Sequence, residues 1–420
     1  IAALAQLCSN HPVPDTLIEE LERATGGNPL FVMETVRAID RASSDGARAT
    51  LLADGVPGHP IVERVTEVLV GELDTASEPV PTLVGARAIW GGPARSGDLS
   101  RLTHLEIRET LDAIREGVAA EFIAERDGQF ELRFEQLAEA AKARLSSAEE
   151  QAFHLRTAEL RSEDPLVPAS ELATHYREAG RWSESARFEA SAAARAAGLH
   201  AYETAVRHYE LALASLDTAG ERPSMGLLFG FEDVLDTLGR RDEQAKSLEI
   251  LDAAPNPTVL NRIRILERRS MYLANTDRFT EALQVGAEAV GFAVASEIAV
   301  TPYLVSLARV LIMAGYPDLA RRHLEGLVGD GGDAVGLARA HLVLGQALTD
   351  TQDLEGAGQQ LMAALKLFRR EADTRGQVDA LAAIAVLQSQ SGDTVAALRH
   401  YHEAIALARQ IGNRFGEGMA

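Results

Sequence analysis

The sequence predicts an all-α protein interrupted by one small β-hairpin, with a compact domain leading into a long array of paired helices. Three observations carry this reading. Apolar residues recur at helical spacing through most of the chain. One stretch, "EFIAERDGQFELRF" from Glu121 to Phe134, instead alternates with period two around an Asp-Gly turn. From about residue 169 onward, an alanine recurs five residues after each turn, with no strand signal between turns.

Taken in order, residues 1–40 read as two or three short helices. In "VPDTLIEELERAT", Asp15 supplies a start signal, and Leu17, Ile18 and Leu21 are the apolar positions. In "ATGGNPLFVMETV", Asn28 is placed to cap a helix and Pro29 to open it. Leu30, Phe31, Met33 and Val36 then form its buried face. The stretch from Asp40 to His59, rich in Ser, Ala, Asp and Gly, contains a linker. The resulting boundaries are 1–45, a linker at 46–59, a domain at 60–165 and an array of repeats at 166–420.

Within the 60–165 domain, helical patterns cover about 61–73, 78–90 and 106–118, and the hairpin follows. Three helices and then a hairpin is the order of a winged helix. Two more helices are expected near 135–145 and 148–161.

In the array the recurring alanines are Ala186, Ala205, Ala245, Ala282, Ala320, Ala357 and Ala397, spaced by 19, 40, 37, 38, 37 and 40 residues. Seven residues beyond each lies Ala193, Ala212, Asp252, Ala289, Leu327, Ala364 or Ala404, two turns on along the same helix face. Small residues there let neighbouring helices pack closely. The short first step predicts a single helix inserted between 186 and 205. The pattern resembles tetratricopeptide repeats, most closely in "LVLGQALTDTQDLEGAGQQLMAAL". There Leu344-Gly345 stand at the helix crossing, and Ala357 and Ala364 lie in the second helix. Several first helices lack the Leu-Gly pair, and Asp252 and Gly286 depart from the pattern.

"TGGNPLFVMETVRAI", then a winged helix, then long repeats of this kind, resembles the bacterial signal-transduction ATPases of the STAND class. These include the large LuxR-type transcriptional regulators and relatives fused to kinase or cyclase domains. The resemblance implies that Gly27, Asn28 and Pro29 line one wall of an adenine nucleotide pocket. A helix N-terminus with free N–H groups, approached through glycine, suits such a contact. The alternative is a capped helix with Phe31 in the core.

A P-loop needs Gly-x-x-x-x-Gly-Lys-Ser/Thr, and none of the three lysines, Lys142, Lys246 and Lys366, follows a glycine. The chain alone is therefore expected to be no enzyme and to hold no cofactor. ATP or ADP with Mg is implied for an ATPase core upstream in the same polypeptide. Starting at Ile1 and ending at the opening of another repeat, the chain reads as a piece of something longer. Free-standing repeat scaffold, or part of an ATPase-coupled kinase or cyclase, are the other readings.

Charge and cysteine content narrow the partners. With 41 basic and 62 acidic residues, the net charge is −21, which disfavours nucleic acid and anionic membranes. Residues 55–150 hold 10 basic and 18 acidic side chains, so direct DNA binding by the winged helix is not expected. The most apolar stretch, Ile298 to Tyr316, is cut by Pro302 and Arg309 and is too short to span a bilayer. Cys8 is the single cysteine and no signal peptide is visible, which fits the cytoplasm. The 11 histidines form no metal set, since His400 and His402 point to different sides of a helix. Glu19-Glu20 and Glu149-Glu150 read as solvated pairs.

That leaves the repeats. Stacked helix pairs make a superhelix whose concave groove is lined by the first helix of each pair. A protein, peptide or small inducer is expected there, between about 300 and 410. Arg309, Arg339, His341, Gln346 and Gln388 are the candidate specificity residues.

Overall fold

The computed structural model describes residues 1–9, 13–25, 32, 33, 36, 71, 73–120, 122–133, 135–330 and 334–410. Gly27, Asn28 and Pro29, with Leu30, Phe31 and the linker at 46–59, lie outside the described residues. So do Phe134, Ala420 and, except for Gly71 and Leu73, the helix expected at 61–73. The chain forms two compact units, Ile1–Ser185 and Ala186–Ala420.

The first unit contains α1 (Ala2–Cys8), α2 (Asp15–Thr25), α3 (Val80–Trp90), α4 (Ser96–Thr103) and α5 (Ile107–Ala119). Strands β1 (Ile123–Arg126) and β2 (Gln129–Leu132) follow, then α6 (Glu135–Lys142), α7 (Ser147–Arg161) and α8 (Ala169–Glu178). The axis of this unit is α3. Val80, Leu83, Val84, Ala86, Ile89 and Trp90 are all buried, the mark of a helix enclosed on every side. It ends at Gly91 in the left-handed region, with φ 82°. Val36, Leu17 and Leu21, expected on buried faces, join the same core, together with Leu99, Ile114, Phe122 and Phe130. Complete burial of each large side chain contributes roughly 1.5–3 kcal/mol.

One charge lies in that core. Arg87 is buried and donates from Nε to the Phe130 carbonyl at 2.8 Å. Burial lowers its guanidinium to about 10, with Glu131 opposing and Arg161 adding to the shift, so it remains a cation near neutrality.

The hairpin forms as the Asp-Gly signal predicts. Ile123 pairs with Leu132 and Arg126 with Gln129. Asp127 and Gly128 both take positive φ, as a two-residue primed turn requires. Ala94 makes a further antiparallel bridge with Phe130, each donating to the other's carbonyl, at 3.1 and 2.7 Å. The sequence reading did not contain α4, however. Only Leu99 and Leu102 are buried on its eight residues, too little to register as a helical period. Of the three helices expected before the hairpin, those at 78–90 and 106–118 form as α3 and α5, with α4 between them. Glu149 is exposed, as expected, and also closes a capping box on α7 by accepting from the Ser146 N–H at 2.9 Å.

The second unit takes up within α9 (Trp182–Gly198) and continues with α10 (Tyr202–Ala219). Five helix pairs follow. They are α11 (Met225–Leu238) with α12 (Arg241–Asp252), and α13 (Val259–Asn275) with α14 (Phe279–Ala295). Next come α15 (Thr301–Met313) with α16 (Pro317–Asp330), α17 (Ala334–Asp350) with α18 (Leu354–Arg370), and α19 (Thr374–Gln390) with α20 (Thr394–Gln410). This is a tetratricopeptide-like stack. Ala186 and Ala205 lie on the consecutive helices α9 and α10, so the short first step marks neighbouring helices rather than a further helix inserted between them. Ala186, Ala205, Ala282, Ala320, Ala357 and Ala397 are all buried.

At Ala245 the register is one residue out. Gln244, Leu248 and Leu251 are buried there, while Ala245 and Asp252 are half-buried. The polar Asp252 therefore never occupied the packing position. Turns between helices are closed by a left-handed residue, as at Gly239, Asp277, Gly315, Gln352 and Gly392. In the last two pairs an aspartate then caps the next helix, with Asp353 and Asp373 accepting from Gly356 and Gly376 at 3.0 and 2.9 Å.

Candidate functional site

Hydrogen bonds between first helices identify the inner face of the second unit. Ser306 on α15 donates to Glu267 on α13 at 2.7 Å. Arg268 on α13 pairs with Glu232 on α11 at 2.8 Å and also with Asp233. Arg375, in the first turn of α19, donates to Thr237 Oγ1 in the last turn of α11 at 3.5 Å, across 138 residues of sequence. The Arg375 side chain thus reaches from the last described first helix to α11.

Most inner carboxylates are engaged. Glu232 is buried and accepts from Arg268 and from Gln244 Nε2, the latter at 2.7 Å. Burial still pushes its carboxyl up to about 7, against the pull of Arg268. On Arg268 burial acts to lower the pKa, yet Asp233 and Glu232 outweigh it and the net shift is upward. The arginine is therefore a fixed cation, and the strongest hold on it is Asp233. Asp236 is held by Arg241 at 2.6 Å.

One cluster is different. The carboxylate of Asp379 on α19 feels the charges of Arg309 of α15, Arg339 of α17 and Arg375 of its own helix. Its carboxylate makes no hydrogen bond or ion pair among the described residues. Arg309 and Arg339 are exposed and likewise make none. Burial raises the Asp379 carboxyl above the ordinary range. Arg309, Arg375 and Arg339 pull it down in that order, and Asp373 pushes it up. Part of Asp379 nevertheless meets solvent, so the cluster opens onto the inner face rather than into closed core.

The expected groove residues separate into two sets. Arg309 and Arg339 are both exposed and both act on the charge of Asp379, and Gln346, half-buried, follows Arg339 by two turns on the same face. His341 and Gln388 instead tie the two helices of a pair together. His341 Nδ1 lies 2.7 Å from Gln360 Oε1 on α18, and Gln388 Oε1 lies 2.8 Å from His400 Nδ1 on α20. Asp379 and Arg375 were missed from sequence. The available signal was faint: Asp379 is the lone acid in the otherwise apolar "VDALAAIAVL".

No group of three or more His, Cys, Asp or Glu among the described residues is arranged to hold a metal ion. No described helix is long and apolar enough to cross a membrane.

No protein-family model and no curated protein matches the chain. Among solved structures it is similar to a STAND protein with a tetratricopeptide repeat sensor from Pyrococcus horikoshii. That match has 14% identity and a TM-score of 0.34, covering 99% of this chain and 69% of that one. It is also similar to a Rap protein complexed with competence and sporulation factor, at 13% identity and a TM-score of 0.46, covering 90% and 98%. A third is the Rap conjugation gene regulator of the plasmid pLS20 in complex with the Phr* peptide. There the identity is 13% and the TM-score 0.43, with 79% and 96% covered.

Proposed function

We propose that this chain is the regulatory and sensor portion of a signal-transduction ATPase of the STAND class, working in a transcriptional regulator. The repeat array binds a peptide, protein or small inducer on its inner face. The hairpin-bearing domain, a winged helix, couples that event to a nucleotide switch. The observation that carries the reading is the set of charges on the first helices, Arg309, Arg339 and Asp379, that make no hydrogen bond or ion pair among the described residues. Arg309 and Arg339 are exposed, so their N–H groups stand open to a ligand's acceptors.

The winged-helix reading is supported by the isolated bridge between Ala94, which lies between α3 and α4, and Phe130 of the hairpin. Its net negative charge assigns it to packing against protein rather than to DNA. ATP or ADP with Mg belongs to an upstream core of the same polypeptide. This chain's contacts to the nucleotide would be Gly27, Asn28 and Pro29.

The test is the full reading frame. It should encode a P-loop before Ile1, and ATP turnover of the whole protein should change when an inner-face ligand binds. A frame without a P-loop, or turnover indifferent to every ligand of the array, would overturn the proposal in favour of a free-standing scaffold.

A further inference from the structure

We infer that Glu232 is a proton-operated latch at the joint between α11, α12 and α13, protonated while the joint is closed and ionised as it opens. The inference does not depend on what the inner face binds.

The joint is a buried polar network with one acid in excess. Glu232 of α11 is 1% exposed. Its two oxygens accept from Gln244 Nε2 of α12 at 2.7 Å and from Arg268 Nη1 of α13 at 2.8 Å. Arg268 is shared, because it also pairs with Asp233. Asp236 accepts from Arg241 of α12 at 2.6 Å, from Gln244 Nε2 at 3.2 Å and from Asn275 of α13 at 3.4 Å. Other packed elements bring few further charges. Glu267, beside Arg268, accepts from Ser306. Arg375 of α19 donates to Thr237, next to Asp236. The Tyr209 hydroxyl of α10, raised first by burial and then by Asp233, stays neutral. Glu232, Asp233, Asp236 and Glu267 are thus set against Arg241, Arg268 and Arg375, which leaves one negative charge uncompensated.

A proton removes that excess, and it goes to the carboxylate with the least water. The side chains of Asp233 and Asp236 are 51% and 33% exposed and stay ionised in contact with solvent, whereas Glu232 has none. A protonated carboxyl keeps acceptor capacity for both of its donors, so the closed network survives the change. The rise of the Glu232 carboxyl to about 7 by burial agrees with this placement.

Opening the joint returns Glu232 to water and to its ordinary 4.5. The closed form therefore binds the proton more tightly than the open one. Its stabilisation is complete below pH 4.5 and is lost as pH rises through 7. Mild acid shuts this joint, and neutral to alkaline conditions loosen it.

Amide exchange on the whole chain, corrected for the intrinsic rate at each pH, reads the opening of residues 225–275. Between pH 5 and pH 7.5 the parent's opening should rise roughly tenfold or more. Glu232→Gln, neutral at every pH, should lose that rise and stay as protected as the parent at pH 5. Asp233→Asn removes the excess charge at a half-exposed side chain and leaves Arg268 to Glu232 alone. There the rise should move to lower pH and shrink across the same range. If Glu232→Gln does not fold, Asp233→Asn decides alone. Three results would each overturn the inference: no rise in the parent, a full rise persisting in Glu232→Gln, or an unaltered rise in Asp233→Asn.

Discussion

Replacing Gly345 by alanine tests whether α17 and α18 cross as closely as their packing implies. A Cβ at Gly345 would stand 2.6 Å from both Cγ and Cδ2 of Leu361 and 3.3 Å from its backbone nitrogen. Leu361 is wholly buried and has no open space to swing into. The helices must therefore part by roughly 1 Å, and overpacking of that kind costs about 1–3 kcal/mol. Against it stands the gain from replacing a helical glycine, about 1 kcal/mol. With the contacts this short the cost falls in the upper part of its range, so the clash wins, for a net loss of up to about 2 kcal/mol. Gly291 is the matched control. It is exposed within α14, and a methyl placed on it would meet nothing within 4 Å, so Gly291→Ala should keep the full gain of about 1 kcal/mol. At about 2–4 °C per kcal/mol, the two variants should melt on opposite sides of the parent, Gly345→Ala lower and Gly291→Ala higher. Circular dichroism at 222 nm reads the midpoints. Because a repeat array can open in parts, amide exchange over residues 334–370 locates the weakened pair. If Gly345→Ala melts at or above the parent, the close crossing is wrong.

Acid should weaken the first unit. His154 and His175 face each other with Nδ1 atoms 2.9 Å apart, and burial, with His154 second, lowers His175 to about 4. Its folded pKa lies below the usual 6.5, so its contribution is intact above pH 6.5 and lost as pH falls toward 4, on the order of 3 kcal/mol. Melting temperature between pH 7 and pH 4.5 should therefore fall less steeply in His175→Gln than in the parent, and equal slopes would refute the assignment. The chain should not bind duplex DNA, because α5 presents Glu106, Glu109, Asp112 and Glu116 beside Arg108 and Arg115. Micromolar binding at physiological salt with a steep salt slope would count against this.

Sequence periodicity was enough for the helix pairs because the alanine face is a packing requirement repeated in each unit of the stack. The hairpin was equally plain, since Asp-Gly between apolar runs leaves few other conformations. The reading failed where the period was weak or the contact distant. Helix α4 was too short to show a face. Gln244 took a packing position that the alanine pattern assigned to its neighbour, because a hydrogen bond to Glu232 satisfies its amide there. Arg309 and Arg339 could be chosen as polar residues on first helices. Their joint influence on the charge of Asp379 could not, since it depends on how the successive first helices stack. His341 and Gln388 looked the same in sequence, yet their partners on the second helix point them across the pair.

The contact between Arg375 and Thr237 changes what kind of object the array is. An open stack can bend at any joint without consulting the others. The Arg375 side chain reaches from the first turn of α19 to the last turn of α11, spanning the pairs between them. A bend that carries those two turns apart has to lengthen or break this bond, so it senses the summed rotation of the intervening joints rather than any one of them.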